Sequence, residues 1–143
     1  MLYICGMIYI TRRETFNAAH KLYHEGWSLE KNIEVFGKCA NPNWHGHNYS
    51  LFITVKGIPL ADTGYVMDLK VLSDLIKEKV VDKLDHKNLN LDVDFMKGKM
   101  ASTEVLSMAI WEQLESGVKQ HGAQLHCVKL YETENNYVEY FGA

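Results

Sequence analysis

The chain has 143 residues, of which 47% are hydrophobic and 23% are charged, and this composition predicts one soluble globular domain spanning residues 1–143. The formal net charge of −3, with no basic patch, argues against nucleic-acid binding. No apolar run approaches the roughly 18 residues that cross a membrane. The apolar start MLYICGMIYI has no basic region before it, so we do not expect a signal peptide.

The cysteines indicate the compartment. Cys5, Cys39 and Cys127 form an odd set with no close spacing, which is not the pattern of a disulfide framework. Free thiols are typical of reducing compartments. We therefore expect a cytoplasmic protein.

Apolar periodicity predicts the elements of the first half of the chain. Residues 7–20 have the pattern of a strand. A short helix follows, with Ser28 as its N-cap and Gly37 at its end. Residues 47–57 then alternate between apolar and polar side chains, which predicts a second strand with Tyr49, Leu51, Ile53 and Val55 on one face.

The second half carries the two long helices. One is predicted from its cap, Asp68, to about Leu84, and the other from about Thr103 to Gln120. A hairpin with Asn135-Asn136 at its turn ends the chain. This order predicts an α+β fold, in which a four-stranded antiparallel sheet carries two long helices on one face. Because such a sheet has exposed edges, we expect an oligomer.

The segment CANPNWHGHNYS concentrates residues that bind metals. Side chains alternate along an extended segment, so His45 and His47 project from the same face and can chelate one ion. His20, at the end of the first strand, is the best candidate for a third ligand. Three histidine nitrogens suit zinc with an open fourth position. Cys39 as a fourth ligand would instead close the site, and the spacing alone leaves both arrangements open.

Other candidate residues have structural as well as functional interpretations. The loop-like flanks of Cys39 favour a functional thiol over a buried one. On its pattern alone, the pair Asp85-His86 consists of polar residues at the C-terminal end of a helix, where histidine is electrostatically favourable. Glu132 ends an apolar row on its strand. Its carboxylate is either buried with a hydrogen-bonding partner or exposed to solvent. Helix capping alone would account for the last three candidates, Ser102, Thr103 and Glu104.

Five motifs in order, FNAAHKL, FGKCANPNWHGHNYSL, LDHKNLNLDV, STEVL and YETENN, closely resemble the 6-pyruvoyltetrahydropterin synthase family, which includes a 6-carboxytetrahydropterin synthase branch. The resemblance extends from about Tyr9 to Gly142. It implies a tunnelling-fold (T-fold) subunit, trimers whose sheets close into a β-barrel, and a homohexamer of two trimers. Active sites of the family lie between subunits.

The resemblance also implies roles for individual residues. Zinc would be bound by His20, His45 and His47. The pterin would be anchored by Glu132, with help from Ser102, Thr103 and Glu104. The catalytic residues would be Cys39, Asp85 and His86.

The implied activity is that of a carbon–oxygen lyase acting on phosphates in tetrahydrobiopterin biosynthesis. It would convert 7,8-dihydroneopterin triphosphate to 6-pyruvoyltetrahydropterin and release triphosphate. The five residues between Cys39 and His45 favour this reaction over the carboxy branch of queuosine biosynthesis, which releases acetaldehyde and typically has three. A more distant alternative is a non-catalytic zinc-stabilised interaction module. The cations that would bind the triphosphate are not selected by the sequence, and the candidates are Lys21, Lys38 and Arg12 or Arg13.

Overall fold

A computed structural model describes residues 6–143 of the chain and shows a mixed five-stranded sheet with the strand order β3-β1-β2-β4-β5. The strands are β1 Ile8–His20, β2 His45–Gly57, β3 Lys87–Asn88, β4 Gln124–Thr133 and β5 Asn136–Tyr140. Neighbouring strands are antiparallel, except that β3 runs parallel to β1.

The prediction of four antiparallel strands is wrong by one strand. After its second helical region the chain runs beside the end of β1, where the amide of His86 donates to the carbonyl of Asn17 at 2.7 Å and the amide of Leu89 donates to that of Ala19 at 2.8 Å. The strand between these bonds, Lys87–Asn88, has two residues. A strand this short has no alternation that a sequence pattern could reveal.

Among residues 6–143, three helices accompany the sheet: α1 Leu29–Phe36, α2 Leu69–Ile76 and α3 Thr103–Gln120. The predicted caps are present, since the side chain of Ser28 accepts from the amide of Lys31 and that of Asp68 accepts from Lys70. Gly37 ends α1 with a φ of 57°, a conformation that glycine adopts without strain. A π-helical segment, Lys77–Val81, and a last turn, Asp82–Leu84, continue α2 to its predicted end. None of the helices among residues 6–143 is long and apolar enough to span a membrane.

The core lies between one face of the sheet and helices α2 and α3. The predicted apolar face of β2 is confirmed, because Tyr49, Leu51, Ile53 and Val55 are all buried. Two residues of β4 on the same side, Val128 and Leu130, are buried with them. Towards one end of the sheet these apolar rows continue into polar residues, which are His20 on β1, His47 and His45 on β2, and Glu132 on β4.

Helix α1 exposes apolar side chains and buries a polar one. The apolar side chains Leu29 and Ile33 of α1 are 49% and 50% exposed, whereas Asn32 is buried. The Asn32 side chain accepts from the amide of His24 at 2.6 Å, so α1 is anchored by a polar residue.

The hairpin turn lies at Glu134-Asn135 because Asn136 is already the first residue of β5.

Candidate functional site

Three histidines converge where β1 ends and β2 begins. His20 and His45 are paired directly across the two strands, and His47 lies two residues along on the same face of β2. The ring centroids are 4.6 Å apart for His20 and His45, and 5.0 Å apart for each of the other two pairs. One nitrogen from each ring lies within 4.8 Å of the others, so the group can hold a metal ion.

The nitrogens of this group also have the chemical state that a metal needs. Nε2 of His20, Nδ1 of His45 and Nε2 of His47 are buried without a hydrogen-bond partner. Burial is the largest cause that lowers the pKa of each histidine below 6.5. The rings are therefore neutral at pH 7, and neutral imidazole is the form that binds metals. Three buried ring nitrogens that lack a hydrogen-bond partner make a good fit for a cation.

Cys39 is not a member of this histidine group. It lies half-buried in the 3₁₀ turn Gly37–Ala40, and its carbonyl accepts a hydrogen bond from the amide of Leu22 at 2.8 Å. This bond ties the turn to the chain just beyond His20. The geometry therefore favours three histidine ligands with an open position over a site closed by this cysteine.

Glu132 lies beside the histidine group at the end of β4. Its Oε1 is 3.0 Å from Nε2 of His47, although the two are not aligned as a hydrogen bond. Its Oε2 accepts a hydrogen bond from the hydroxyl of Thr103, the first residue of α3. The carboxylate is thus held at the edge of the site with a fixed orientation.

The neighbours of Thr103 have different surroundings. Ser102 is the N-cap of α3, and its Oγ accepts from the amide of Val105 at 3.2 Å. Glu104 is exposed in the first turn of the helix. Of the three predicted pterin-binding residues on this segment, Thr103 is the one that contacts Glu132.

The pair Asp85-His86 is fixed on the edge of β1. Oδ1 of Asp85 accepts from the amide of Asn17 at 2.9 Å, and its Oδ2 lies 3.0 Å from Nδ1 of His86. The hydrogen bond from Asn17 is the main cause that lowers the pKa of the Asp85 carboxyl, and His86 adds to it. His86 has a φ of 61°, which is uncommon for a residue other than glycine.

A cavity of about 750 Å³ brings several of these groups together. Its lining includes His47, Glu132, Asp85 and His86, whereas Cys39 does not contribute to it. Within one chain, therefore, the predicted acid–histidine pair and the predicted pterin anchor line the same cavity, and the predicted thiol lies elsewhere.

Tyr49 lies in the predicted apolar row of β2, but its side chain also lines the cavity of the site. The side chain is 1% exposed, and its oxygen has no hydrogen-bond partner. Its ring stacks on Phe16 at 4.8 Å and lies 5.7 Å from the ring of His47. Burial, and after it the charge of Glu132, raise the pKa of this hydroxyl, so it remains a proton donor. The available signal was its position two residues beyond His47, on the same face.

Comparisons with known proteins identify the family of this chain. The sequence model of the 6-pyruvoyl tetrahydropterin synthase family matches residues 9–143. The chain is 47% identical over 135 residues to a 6-pyruvoyl tetrahydrobiopterin synthase from Dictyostelium discoideum, covering 94% of this chain and 96% of that one. A 6-carboxy-5,6,7,8-tetrahydropterin synthase from Bacillus subtilis is 30% identical over 112 residues, covering 75% and 73%.

Comparison of the fold with solved structures gives the same family. The solved structure of Caenorhabditis elegans 6-pyruvoyl tetrahydropterin synthase superposes with a TM-score of 0.91 at 34% identity, covering 99% of this chain and 100% of that one. The T-fold expected for the subunit is thereby confirmed. On both the sequence match and the structural match, the chain belongs to the 6-pyruvoyl tetrahydropterin synthase family.

Proposed function

We propose that this protein is a zinc-dependent carbon–oxygen lyase of tetrahydrobiopterin biosynthesis, which converts 7,8-dihydroneopterin triphosphate to 6-pyruvoyltetrahydropterin and releases triphosphate. The observation that carries the proposal is the group of three buried, unpaired histidine nitrogens beside the Glu132 carboxylate. The similarity to proteins named 6-pyruvoyl tetrahydrobiopterin synthase supports the choice of reaction.

His20, His45 and His47 are the proposed zinc ligands. Zinc bound there would supply a Lewis acid for the hydroxyl groups of the substrate side chain. Glu132 would accept hydrogen bonds from the two N–H groups of the aminopyrimidinone ring, and the Thr103 hydroxyl would keep the carboxylate in position. Ser102 and Glu104 are proposed as nearby contributors to the pterin site.

Proton transfer would be carried by Cys39, Asp85 and His86. The reaction moves hydrogens along the substrate side chain, so a base must remove protons from carbon and return them. The Cys39 thiolate is the proposed base. Asp85 would hold Nδ1 of His86 protonated, which leaves Nε2 free to exchange a proton.

The position of Cys39 supports a site that is completed by another subunit. Cys39 does not line the cavity that holds Asp85 and His86, so the pair would serve the thiol of a neighbouring chain. The half-exposed apolar residues Leu29 and Ile33 of α1 are consistent with such a contact. We therefore propose a homohexamer of two trimers, in which three sheets close into one barrel. The free thiols Cys39 and Cys127 support a cytoplasmic location.

The 6-carboxytetrahydropterin synthase of queuosine biosynthesis remains the second candidate. Its support is the Bacillus subtilis relative, at 30% identity against 47% for the Dictyostelium protein. A non-catalytic zinc module is less well supported, because Cys39 lies outside the histidine group that it would have to close.

The test is product analysis by mass spectrometry after zinc-loaded protein has been incubated with 7,8-dihydroneopterin triphosphate. We expect 6-pyruvoyltetrahydropterin and inorganic triphosphate in equal amounts. Glu132→Gln, which keeps the size of the side chain but removes its charge, should retain zinc and lose turnover. A 6-carboxy product with acetaldehyde would move the protein to the carboxy branch. Unchanged substrate, with zinc bound and the oligomer intact, would favour the non-catalytic module.

A further inference from the structure

Residues 21–24 follow β1 without regular secondary structure. Their backbone groups have no partners from the sheet, and such groups need other partners wherever they are shielded from water. The amide of Leu22 donates to the carbonyl of Cys39 at 2.8 Å. Two asparagine side chains supply the partners of Lys21 and His24, the first and last residues of the segment.

Asn90 pairs with Lys21 as a residue of a neighbouring strand would. Its Oδ1 accepts from the amide of Lys21 at 3.1 Å, and its Nδ2 donates to the carbonyl of Lys21 at 3.1 Å. The amide of Asn90 in turn donates to the side chain of Asn88 at 2.9 Å, which fixes the turn after β3. Asn90 therefore continues, with its side chain, the pairing of β3 with β1.

Asn32 of α1 makes the same two bonds with His24. Its Oδ1 accepts from the amide of His24 at 2.6 Å, and its Nδ2 donates to the carbonyl of His24 at 3.0 Å. Asn32 is 0% exposed, so these bonds are shielded from water, where an unpaired polar group is costly. The bonds join residues 21–24 to the helix that leads into the Cys39 turn.

A carboxamide is suited to both bonds at once. It has a donor and an acceptor in one plane, as a peptide group does. Aspartate would present a second oxygen to the carbonyl, and leucine, which is similar in size, has neither a donor nor an acceptor. Residues 21–24 together with the side chains of Asn32 and Asn90 form a unit, here named the brace.

The brace connects the histidine group to Cys39. His20 immediately precedes it in the chain, and its middle residue Leu22 is bonded to the carbonyl of Cys39. Fixing both ends of the brace therefore limits how far the Cys39 turn can move relative to His20. The placement of a base matters, because a displacement of about 1 Å can lower a rate by roughly 10²-fold.

We propose that Asn32 and Asn90 are positioning residues, which hold the Cys39 thiol at a fixed place relative to the histidine group. The proposal rests on the function proposed above, in which Cys39 is the base, and it extends that function to two side chains without a role in it. Both asparagines act through the backbone of residues 21–24, and neither has to contact the substrate.

The experiment combines hydrogen exchange with steady-state kinetics on the zinc-loaded oligomer. In Asn32→Leu and in Asn90→Leu, amide exchange across residues 21–24, followed by mass spectrometry, should become faster. Exchange in β2 and β4 should stay as in the unsubstituted protein, whereas a general loss of stability would make it faster there too.

The kinetic constants should separate in the same variants. We expect kcat to fall at least about tenfold with KM within about twofold, because the base is displaced and the pterin site is not. Zinc content should be unchanged, since neither asparagine belongs to the histidine group.

Ser28→Ala is the matched control on the same helix. It removes the N-cap bond to the amide of Lys31 and leaves both asparagine pairs intact. Exchange across residues 21–24 and kcat should therefore be unchanged in this variant. Because Asn32 is fully buried, Asn32→Leu could fail to fold, and Asn90→Leu, at a half-buried turn position, then carries the test.

Three results would overturn the proposal. One is unchanged exchange across residues 21–24 in both asparagine variants. Another is an equal loss of kcat in Ser28→Ala and Asn32→Leu, which would assign the loss to the stability of α1. The third is loss of zinc from the asparagine variants, which would make the metal site, rather than the thiol, the group that they position.

The rate at which iodoacetamide alkylates Cys39 tests the brace without turnover. It should rise in both asparagine variants, since a loosened turn makes this half-buried thiol more accessible, and the buried Cys127 is the internal reference. A rise in a protein that does not convert 7,8-dihydroneopterin triphosphate would keep the brace and reject the proposed function. Conversion with the same kcat in both variants would keep the function and reject the positioning role.

Discussion

Nδ1 of His20 lies 2.7 Å from the carbonyl oxygen of Ala101, a residue 81 positions further along the chain. Since a carbonyl can only accept, His20 must carry its proton on Nδ1, which leaves the Nε2 lone pair for a metal. Ala101 immediately precedes Ser102, the N-cap of α3, and Thr103 in the next position bonds to Glu132. The start of one helix therefore orients both the metal site and the carboxylate beside it.

The adjacent hydroxyls of Thr103 and Ser102 should have separable effects. Thr103→Val keeps the shape of the side chain but removes the donor to Glu132, so we expect pterin affinity to fall about tenfold with zinc content unchanged. Ser102→Ala removes the cap bond to Val105 and should lower the free energy of unfolding by about 1 kcal/mol with little change in affinity. Neopterin titrations and urea unfolding measure the two quantities.

An equal loss of affinity in both variants would contradict this separation. It would mean that the position of the helix start, rather than the Thr103 hydrogen bond, controls the Glu132 carboxylate.

Removing one histidine of the metal group should abolish tight zinc binding. His20→Ala leaves two imidazoles, and we expect substoichiometric zinc by metal analysis after dialysis. His24→Ala is the matched control, because His24 stacks on Trp27 at 4.5 Å and is outside the group. The zinc-free protein should stay folded, since none of the three ligands is a member of the apolar core cluster. Unfolding on chelation would instead indicate a structural zinc site.

The stability of the zinc-free protein should depend on the histidine group between pH 5 and pH 7. Burial lowers the pKa of His20, His45 and His47 below the unfolded value of 6.5, so the unfolded chain binds more protons in this range. The free energy of unfolding should therefore rise with pH up to about 6.5 and level off above it. Urea denaturation in the presence of a chelator measures the profile. A flat profile from pH 5 to 7 would contradict the neutral state of the buried rings.

Cys39 should be needed for turnover and not for zinc. Cys39→Ala is expected to retain full zinc content and to lower kcat by about 10²- to 10⁴-fold, the usual contribution of a general base. The buried thiol Cys127 provides the control, because Cys127→Ala removes a cysteine from β4 and should affect stability more than turnover. Loss of zinc from Cys39→Ala would make this residue a ligand and would exclude the proposed mechanism.

Much of the fold could be predicted because its patterns are long. The alternation in β2 and the helical spacing of α3 each extend over many residues, and the caps Ser28 and Asp68 are local side-chain signals. The two-residue strand β3 and the π-helical segment Lys77–Val81 have no such pattern. Backbone hydrogen bonds to β1 fix β3, and packing against β1 and α3 accompanies the π-helical segment.

The site was predictable to the extent that its residues have distinctive side chains. The histidine pair at positions 45 and 47 could be read from alternation along a strand, and His20 from its place at a strand end. The partner of His20 is a backbone carbonyl, and any residue at position 101 would supply one. The separation of Cys39 from Asp85 and His86 depends on tertiary structure, which no local pattern contains.

The buried hydroxyl of Tyr49 gives a last prediction. An unpaired buried hydroxyl costs free energy, so Tyr49→Phe should leave the zinc-free protein as stable as before or raise its free energy of unfolding by about 1 kcal/mol. The stack on Phe16 at 4.8 Å is retained in this variant. Tyr65→Phe, at a side chain that is 45% exposed, should change nothing and serves as the control. A loss of more than about 1 kcal/mol in Tyr49→Phe, measured by urea unfolding, would show that the hydroxyl has a partner in the folded protein.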